Sequence, residues 1–154
     1  MKELKAKDVM EREVVSIPFD MSLSKVRDVF LHKRITGAPV VTEDGELLGV
    51  LSQTDIVRYA FQRPSGDFPK DDLFLGLTDW GASEKNFSKV QERLDKAKAC
   101  DVMDTNIFSV SAEDSVSNIA QMMRRHRVHR VIVREGNKAI GVVSSMDMMK
   151  LLES

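Results

Sequence analysis

Gly49-Val-Leu-Ser-Gln-Thr-Asp55 occurs a second time as Gly141-Val-Val-Ser-Ser-Met-Asp147, beginning 92 positions later (141 against 49). Each version reads as the apolar end of a strand breaking at a hydroxyl residue into a helix. Other pairs recur around it. Asp8-Val-Met10 returns as Asp101-Val-Met103, an offset of 93. The same offset aligns Val14-Val-Ser-Ile17 with Ile107-Phe-Ser-Val110, Arg34-Ile35 with Arg127-Val128, and Pro39-Val40 with Ile132-Val133. Past the turn Thr42-Glu-Asp-Gly45 the offset drops to 92, so the second copy is one loop residue shorter. A duplicated module tolerates a length change at such a turn.

Each copy alternates its periods. Val14 to Ile17 is a short β-branched piece, followed by Pro18 in the first copy. Leu23, Val26, Val29 and Phe30 recur at helical spacing, with Ser22 or Asp20 as cap; Val116, Ile119, Ala120, Met122 and Met123 repeat this. Ala38 to Val41 and Leu47 to Leu51 read as two strands joined by a tight turn. Asp55 to Phe61 returns to helix. The order per copy is strand, helix, strand, strand, helix, an α+β pattern, with a first repeat at 1–62 and a second at 97–154. Residues 63–96 have no counterpart in either copy. There, Leu73-Phe-Leu-Gly-Leu77 and Trp80 are apolar enough to pack on something, and Ser88 to Lys98 reads as a charged, solvated helix feeding the second repeat.

With 154 residues, 42% of them hydrophobic, the chain can bury one core or two small fused ones. A formal net charge of −1 gives no global pull toward nucleic acid or an anionic membrane. The single cysteine, Cys100, excludes an internal disulfide framework and fits a reducing compartment. The start of the chain has no apolar core of signal-peptide length, and no apolar run approaches the roughly 20 residues of a membrane helix. A cytoplasmic location is expected. No P-loop, nucleophile elbow, zinc-protease pair or dinucleotide glycine fingerprint occurs, so no enzyme activity is expected.

Two such copies, each opening on Asp-Val-Met and closing on Gly-Val-x-Ser-x-x-Asp, resemble tandem CBS domains, together called a Bateman module. The resemblance covers nearly all of the chain outside 63–96. It implies that the copies pack sheet to sheet with pseudo-twofold symmetry, pair further into homodimers, and are not catalytic. It also implies clefts between the copies that take adenosine-type ligands and report them to a partner protein.

On that resemblance, Ser52, Thr54 and Asp55 meet the family pattern in full. A carboxylate offers two acceptor oxygens to adjacent ribose hydroxyls, and hydroxyls and amides at a helix start suit a phosphate. Ser52-x-x-Asp55 is equally a capping box, and the two uses can coexist. In the second copy Ser144 and Asp147 remain, but Met146 stands where Thr54 stands and cannot donate. Unequal clefts are expected. By family position His129 and Arg130 would reach a ligand phosphate, where the first copy has Thr36 and Gly37; Arg130 is the stronger candidate. Arg124, Arg125, His126 and Arg127 otherwise read as a solvated helix end, and no cysteine or carboxylate joins the histidines at metal spacing. Ser16, Ile17, Ala38 and Pro39, with Ser109, Val110 and Val131, align with positions that line the base, although core strand residues would look the same. The expected ligands are AMP, ADP or ATP. The competing expectation is a structural or dimerisation module with empty clefts. Nucleic-acid binding through the arginine cluster has little support at near-neutral net charge.

Overall fold

A computed structural model describes residues 3–62 and 84–153. Leu73 to Leu77 and Trp80, read above as a packing surface, lie outside the described residues. The first half contains α1 (Ala6–Val9), β1 (Ile17–Pro18), α2 (Leu23–Lys33), β2 (Gly37–Val41), β3 (Leu47–Ser52) and α3 (Gln53–Ala60). After α4 (Glu84–Lys96) the second half repeats the order: α5 (Ala99–Val102), β4 (Ser109–Val110), α6 (Val116–His126), β5 (Arg130–Glu135), β6 (Lys138–Ser144) and α7 (Ser145–Lys150). Each half forms one three-stranded sheet, β1-β2-β3 or β4-β5-β6, with a parallel first pair and an antiparallel second pair. The duplication extends to irregularities. The ladder register shifts between Val40 and Val41 and again between Val133 and Arg134, at matching positions. Helices α2 and α6 both stop at an arginine in left-handed conformation, Arg34 at φ 55° and Arg127 at φ 53°. That turn delivers the chain directly into β2 and β5.

The expected strands Val14–Ile17 and Ile107–Val110 shrink to their last residues. Ile17 and Pro18 pair with Val40 and Val41, and Ser109 and Val110 with Ile132 and Val133. The residues before them leave the ladder to line a cavity between the halves. Pro18 is tolerated because β1 is an edge strand, where a missing amide costs no ladder bond.

Asp-Val-Met has a structural meaning that its spacing does not reveal. It lies on a short helix in each half, and the aspartate caps it: the Lys5 N–H donates to Asp8 Oδ2 and the Lys98 N–H to Asp101 Oδ2, both at 2.9 Å. These segments are exchanged between the halves. The Ala6 N–H donates to the Asp114 carbonyl at 2.8 Å, the Val116 N–H to the Leu4 carbonyl at 2.9 Å, and Glu11 bridges to Val142. Reciprocally, the Ala99 N–H donates to the Met21 carbonyl and the Cys100 N–H to the Phe19 carbonyl, while Asp104 bridges to Val50. Ala6 is therefore buried in the second core, with Ile119, Val131 and Val143, and Ala99 in the first, with Leu23, Val26 and Leu51. A third apolar cluster, Val41, Leu47 and Ile132, joins the two sheets.

Helix α4 is not a wholly solvated feed into the second repeat. Leu94 is buried in the first core, the buried Ser24 hydroxyl donates to Asp95, and Arg93 lies 5.0 Å over the Tyr59 ring. The expectation held only for its outer face, where Lys89, Glu92 and Lys96 are exposed and Lys96 pairs with Glu92. A charged helix still needs an apolar stripe to dock, and Val90 and Leu94 supply it at i, i+4.

Candidate functional site

The strand-to-helix breaks of both halves open onto one cavity of about 480 Å³. That size lies within the range of small-molecule sites, about 300–1,000 Å³. Ala38, Pro39 and Leu51 give it an apolar wall from the first half, and Phe108, Ile132 and Val142 from the second. Its polar groups include Ser52 with Asp55, Ser144 with Asp147, Arg130, and three acidic residues from the exchanged segments: Glu11, Glu13 and Asp104.

Both serine-aspartate pairs are reciprocal caps. The Ser52 N–H donates to Asp55 Oδ2 at 2.9 Å and the Asp55 N–H to Ser52 Oγ at 3.2 Å. The same two bonds join Ser144 and Asp147, and the Ser144 hydroxyl adds a third to Asp147 Oδ2 at 3.0 Å. The remaining oxygens differ. Asp55 Oδ1 has no hydrogen-bond or ion-pair partner among the described residues, whereas Asp147 Oδ1 lies 3.9 Å from Lys150 Nζ. Capping thus engages one carboxylate oxygen of each pair, and of the two that remain the one on Asp55 has less competition.

The first-turn amides are largely committed. The Gln53 N–H donates to the Thr36 carbonyl and the Ser145 N–H to the His129 carbonyl, both at 2.8 Å. Each strand start is thereby tied to the helix start beside it.

Arg130 reaches across the pseudo-twofold. Its Nη2 donates to Thr36 Oγ1 of the other half at 3.0 Å, and its Nη1 would lie 2.8 Å from a methyl group built on Gly37. The absent side chain at Gly37 makes room for the guanidinium. The two repeat-equivalent positions are therefore in contact, one filling the space the other leaves.

Of the residues singled out in the sequence, the cavity gathers Ala38, Pro39, Ser52, Asp55, Arg130, Ser144 and Asp147. The others do not line it. Ile17, Val110 and Val131 are buried in the cores, as alternating strand residues on the inner face of a sheet must be. Ser16, Thr54 and His129 are exposed and Ser109 is half-buried, outside the lining. Met146 is 66% exposed, so the contrast between Thr54 and Met146 falls outside this cavity. Arg124, Arg125 and Arg127 are exposed at the end of α6, and His126 stacks on Phe108 with ring centroids 4.7 Å apart. Among the described residues no three histidine, cysteine or acidic side chains are placed to hold a metal ion, and no helix is long and apolar enough to cross a membrane.

Sequence reasoning missed Glu11, Glu13, Asp104 and Phe108. One signal was available: Glu11 and Asp104 are repeat-equivalent, each directly after Asp-Val-Met.

Comparison with known proteins places this geometry. The sequence profile of the CBS domain matches residues 6–62 and 99–154. Uncharacterized protein MJ1426 of Methanocaldococcus jannaschii is 30% identical over 156 residues, covering 95% of this chain and 89% of that protein. Human 5′-AMP-activated protein kinase subunit gamma-3 is 26% identical over 126 residues, covering 81% of this chain but 22% of the subunit. The CBS domain of a CBS domain containing membrane protein from Sphaerobacter thermophilus superposes with a TM-score of 0.77 at 27% identity, covering 97% of this chain and 88% of that one. The CBS domain pair of protein MJ0100, solved in complex with 5′-methylthioadenosine and S-adenosyl-L-methionine, superposes with a TM-score of 0.68 at 16% identity, covering 98% and 97%. Two profile matches, meeting crosswise in one fold, make this chain a member of the CBS domain family, carrying a tandem pair.

Proposed function

We propose that the chain is a regulatory module that binds an adenosine-type ligand in the shared cavity and signals its presence to a partner protein. The observation that carries this reading is the pair of capped aspartates opening onto one apolar-walled cavity, with Asp55 Oδ1 uncommitted. A ribose would set its two hydroxyls against that oxygen, and a purine would lie against Ala38, Pro39 and Leu51 or their counterparts. Two family relatives support the class: a subunit of an AMP-activated kinase, and a CBS pair solved with two adenosine derivatives. The module acts by binding rather than by catalysis, in the cytoplasm.

Thermal unfolding with AMP, ADP, ATP, 5′-methylthioadenosine and S-adenosylmethionine tests it. A ligand at 100 times its Kd adds about 2.7 kcal/mol, several degrees in a domain of this size. The Asp55→Asn variant should lose most of that gain. No shift with any of the five at millimolar concentration would overturn the proposal.

A second reading concerns assembly. Met146, Met149 and Leu152 are 66%, 59% and 78% exposed on and just after α7, an apolar strip that favours contact with another chain. A homodimer through this strip would show in sedimentation and should dissociate on Met149→Glu.

A further inference from the structure

The ligand class can be narrowed by charge, an inference that rests on the adenosine-type reading above. Among the described residues, five acidic residues line the cavity, Glu11, Glu13, Asp55, Asp104 and Asp147, against one basic residue, Arg130. Glu11 and Asp104 come from the two exchanged segments, bridging to Val142 and Val50, so the negative charge is contributed from both sides. The groups that would offset a phosphate are partly engaged. Arg130 spends one of its guanidinium N–H groups on Thr36. The amides of Gln53 and Asp55 donate to the Thr36 carbonyl and Ser52 Oγ, and those of Ser145 and Asp147 to the His129 carbonyl and Ser144 Oγ. A helix start serves as an anion site through free amides, and here two in each first turn are spent. Glu11, Glu13 and Asp104 are exposed at the cavity, so they repel a polyphosphate through water, an effect largest at low ionic strength.

We infer that the cavity selects adenosine derivatives whose 5′ substituent is cationic or uncharged, such as a sulfonium or a thioether, over nucleoside di- and triphosphates. Each added phosphate weakens binding, and a positive centre near Glu11 or Asp104 strengthens it.

Isothermal titration at one low ionic strength tests this with S-adenosylmethionine, 5′-methylthioadenosine, AMP, ADP and ATP, the last with and without Mg²⁺. The expected result is ATP at least about tenfold weaker than the cationic and uncharged probes, tenfold being about 1.4 kcal/mol. The Glu11→Gln, Asp104→Asn double variant should narrow that gap. It keeps an acceptor oxygen for the bonds Glu11 and Asp104 accept from the Glu13 and Asn106 amides, so the segments hold their shape. Affinity rising from AMP to ATP would overturn the charge inference and leave the adenosine-type reading standing. A gap unchanged in the double variant would also overturn it, because charge would then not be its cause. No binding by any probe would overturn both.

Discussion

Asp55 and Asp147 perform the same capping task with unequal remainders, and that inequality predicts where a ligand response will be lost. Asp55→Asn should abolish most ligand-induced stabilisation, and Asp147→Asn should weaken it less, because Lys150 already faces the second oxygen of Asp147. Ser52→Ala should in addition cost about 0.5–2 kcal/mol in urea unfolding without ligand, the usual worth of an N-cap residue. A response to ligand intact in Asp55→Asn would contradict the assignment. The serine and aspartate of each motif were legible because a cap needs both at i and i+3. The third motif position stands apart from the cavity lining. Thr54 and Met146 take the second helical position, which faces outward here, so a hydroxyl there reaches solvent. Glu11 and Asp104 were illegible for another reason. They sit in irregular segments without periodicity, and their place in the cavity depends on an exchange that no local pattern encodes.

At the scale of elements, the two motifs that define the repeat meet crosswise. Met103 of the second copy lies against Gly49 of the first, and Met10 of the first against Gly141 of the second. Both glycines exist for this close approach, but their neighbours differ in give. A methyl group at Gly49 would stand 2.7 Å from the Asp104 carbonyl oxygen, whereas at Gly141 its three nearest neighbours would all be atoms of the Met10 side chain. Backbone cannot move aside as a methionine can. Gly49→Ala should therefore cost about 1–3 kcal/mol, as overpacking does, and Gly141→Ala distinctly less, by denaturant unfolding. The N-terminal segment is held further by Glu113, which accepts from Lys5 Nζ at 2.5 Å and Lys7 Nζ at 2.7 Å. The hydrogen bonds from those two lysines lower its carboxyl from 4.5 to about 2. A depressed folded value means this stabilisation is present above about pH 4.5 and is lost as pH falls toward 2. Glu113→Gln should thus flatten part of the acid-side decline in stability, in a way that salt also weakens because the pair is exposed. An acid profile identical to that of the parent would show that the contact contributes nothing. The order of elements was legible from apolar spacing and turns; the length of β1 and β4 was not, since β-branched residues line a cavity as readily as they fill a strand.

At the scale of the molecule, each core contains a segment borrowed from the other half, Ala6 in one and Ala99 in the other, and neither core is complete without it. The halves should therefore unfold together. Circular dichroism and hydrogen exchange should report one transition, and Ala99→Asp should lower protection in both halves rather than in the first alone. Separate transitions would contradict the exchange. The pseudo-twofold pair was legible from the duplication, while the crosswise exchange was not, because the repeat alignment is the same whichever half a segment joins. The same exchange builds the cavity, which takes its walls and its carboxylates from both halves. Amide chemical-shift mapping with a bound adenosine derivative tests that shared site most directly. With one shared cavity, the amides of Ala38, Leu51 and Asp55 should shift together with those of Ile132 and Ser144, and Asp55→Asn should suppress both sets. Shifts confined to one half, or to the outer face of α7 with the cavity silent, would contradict it.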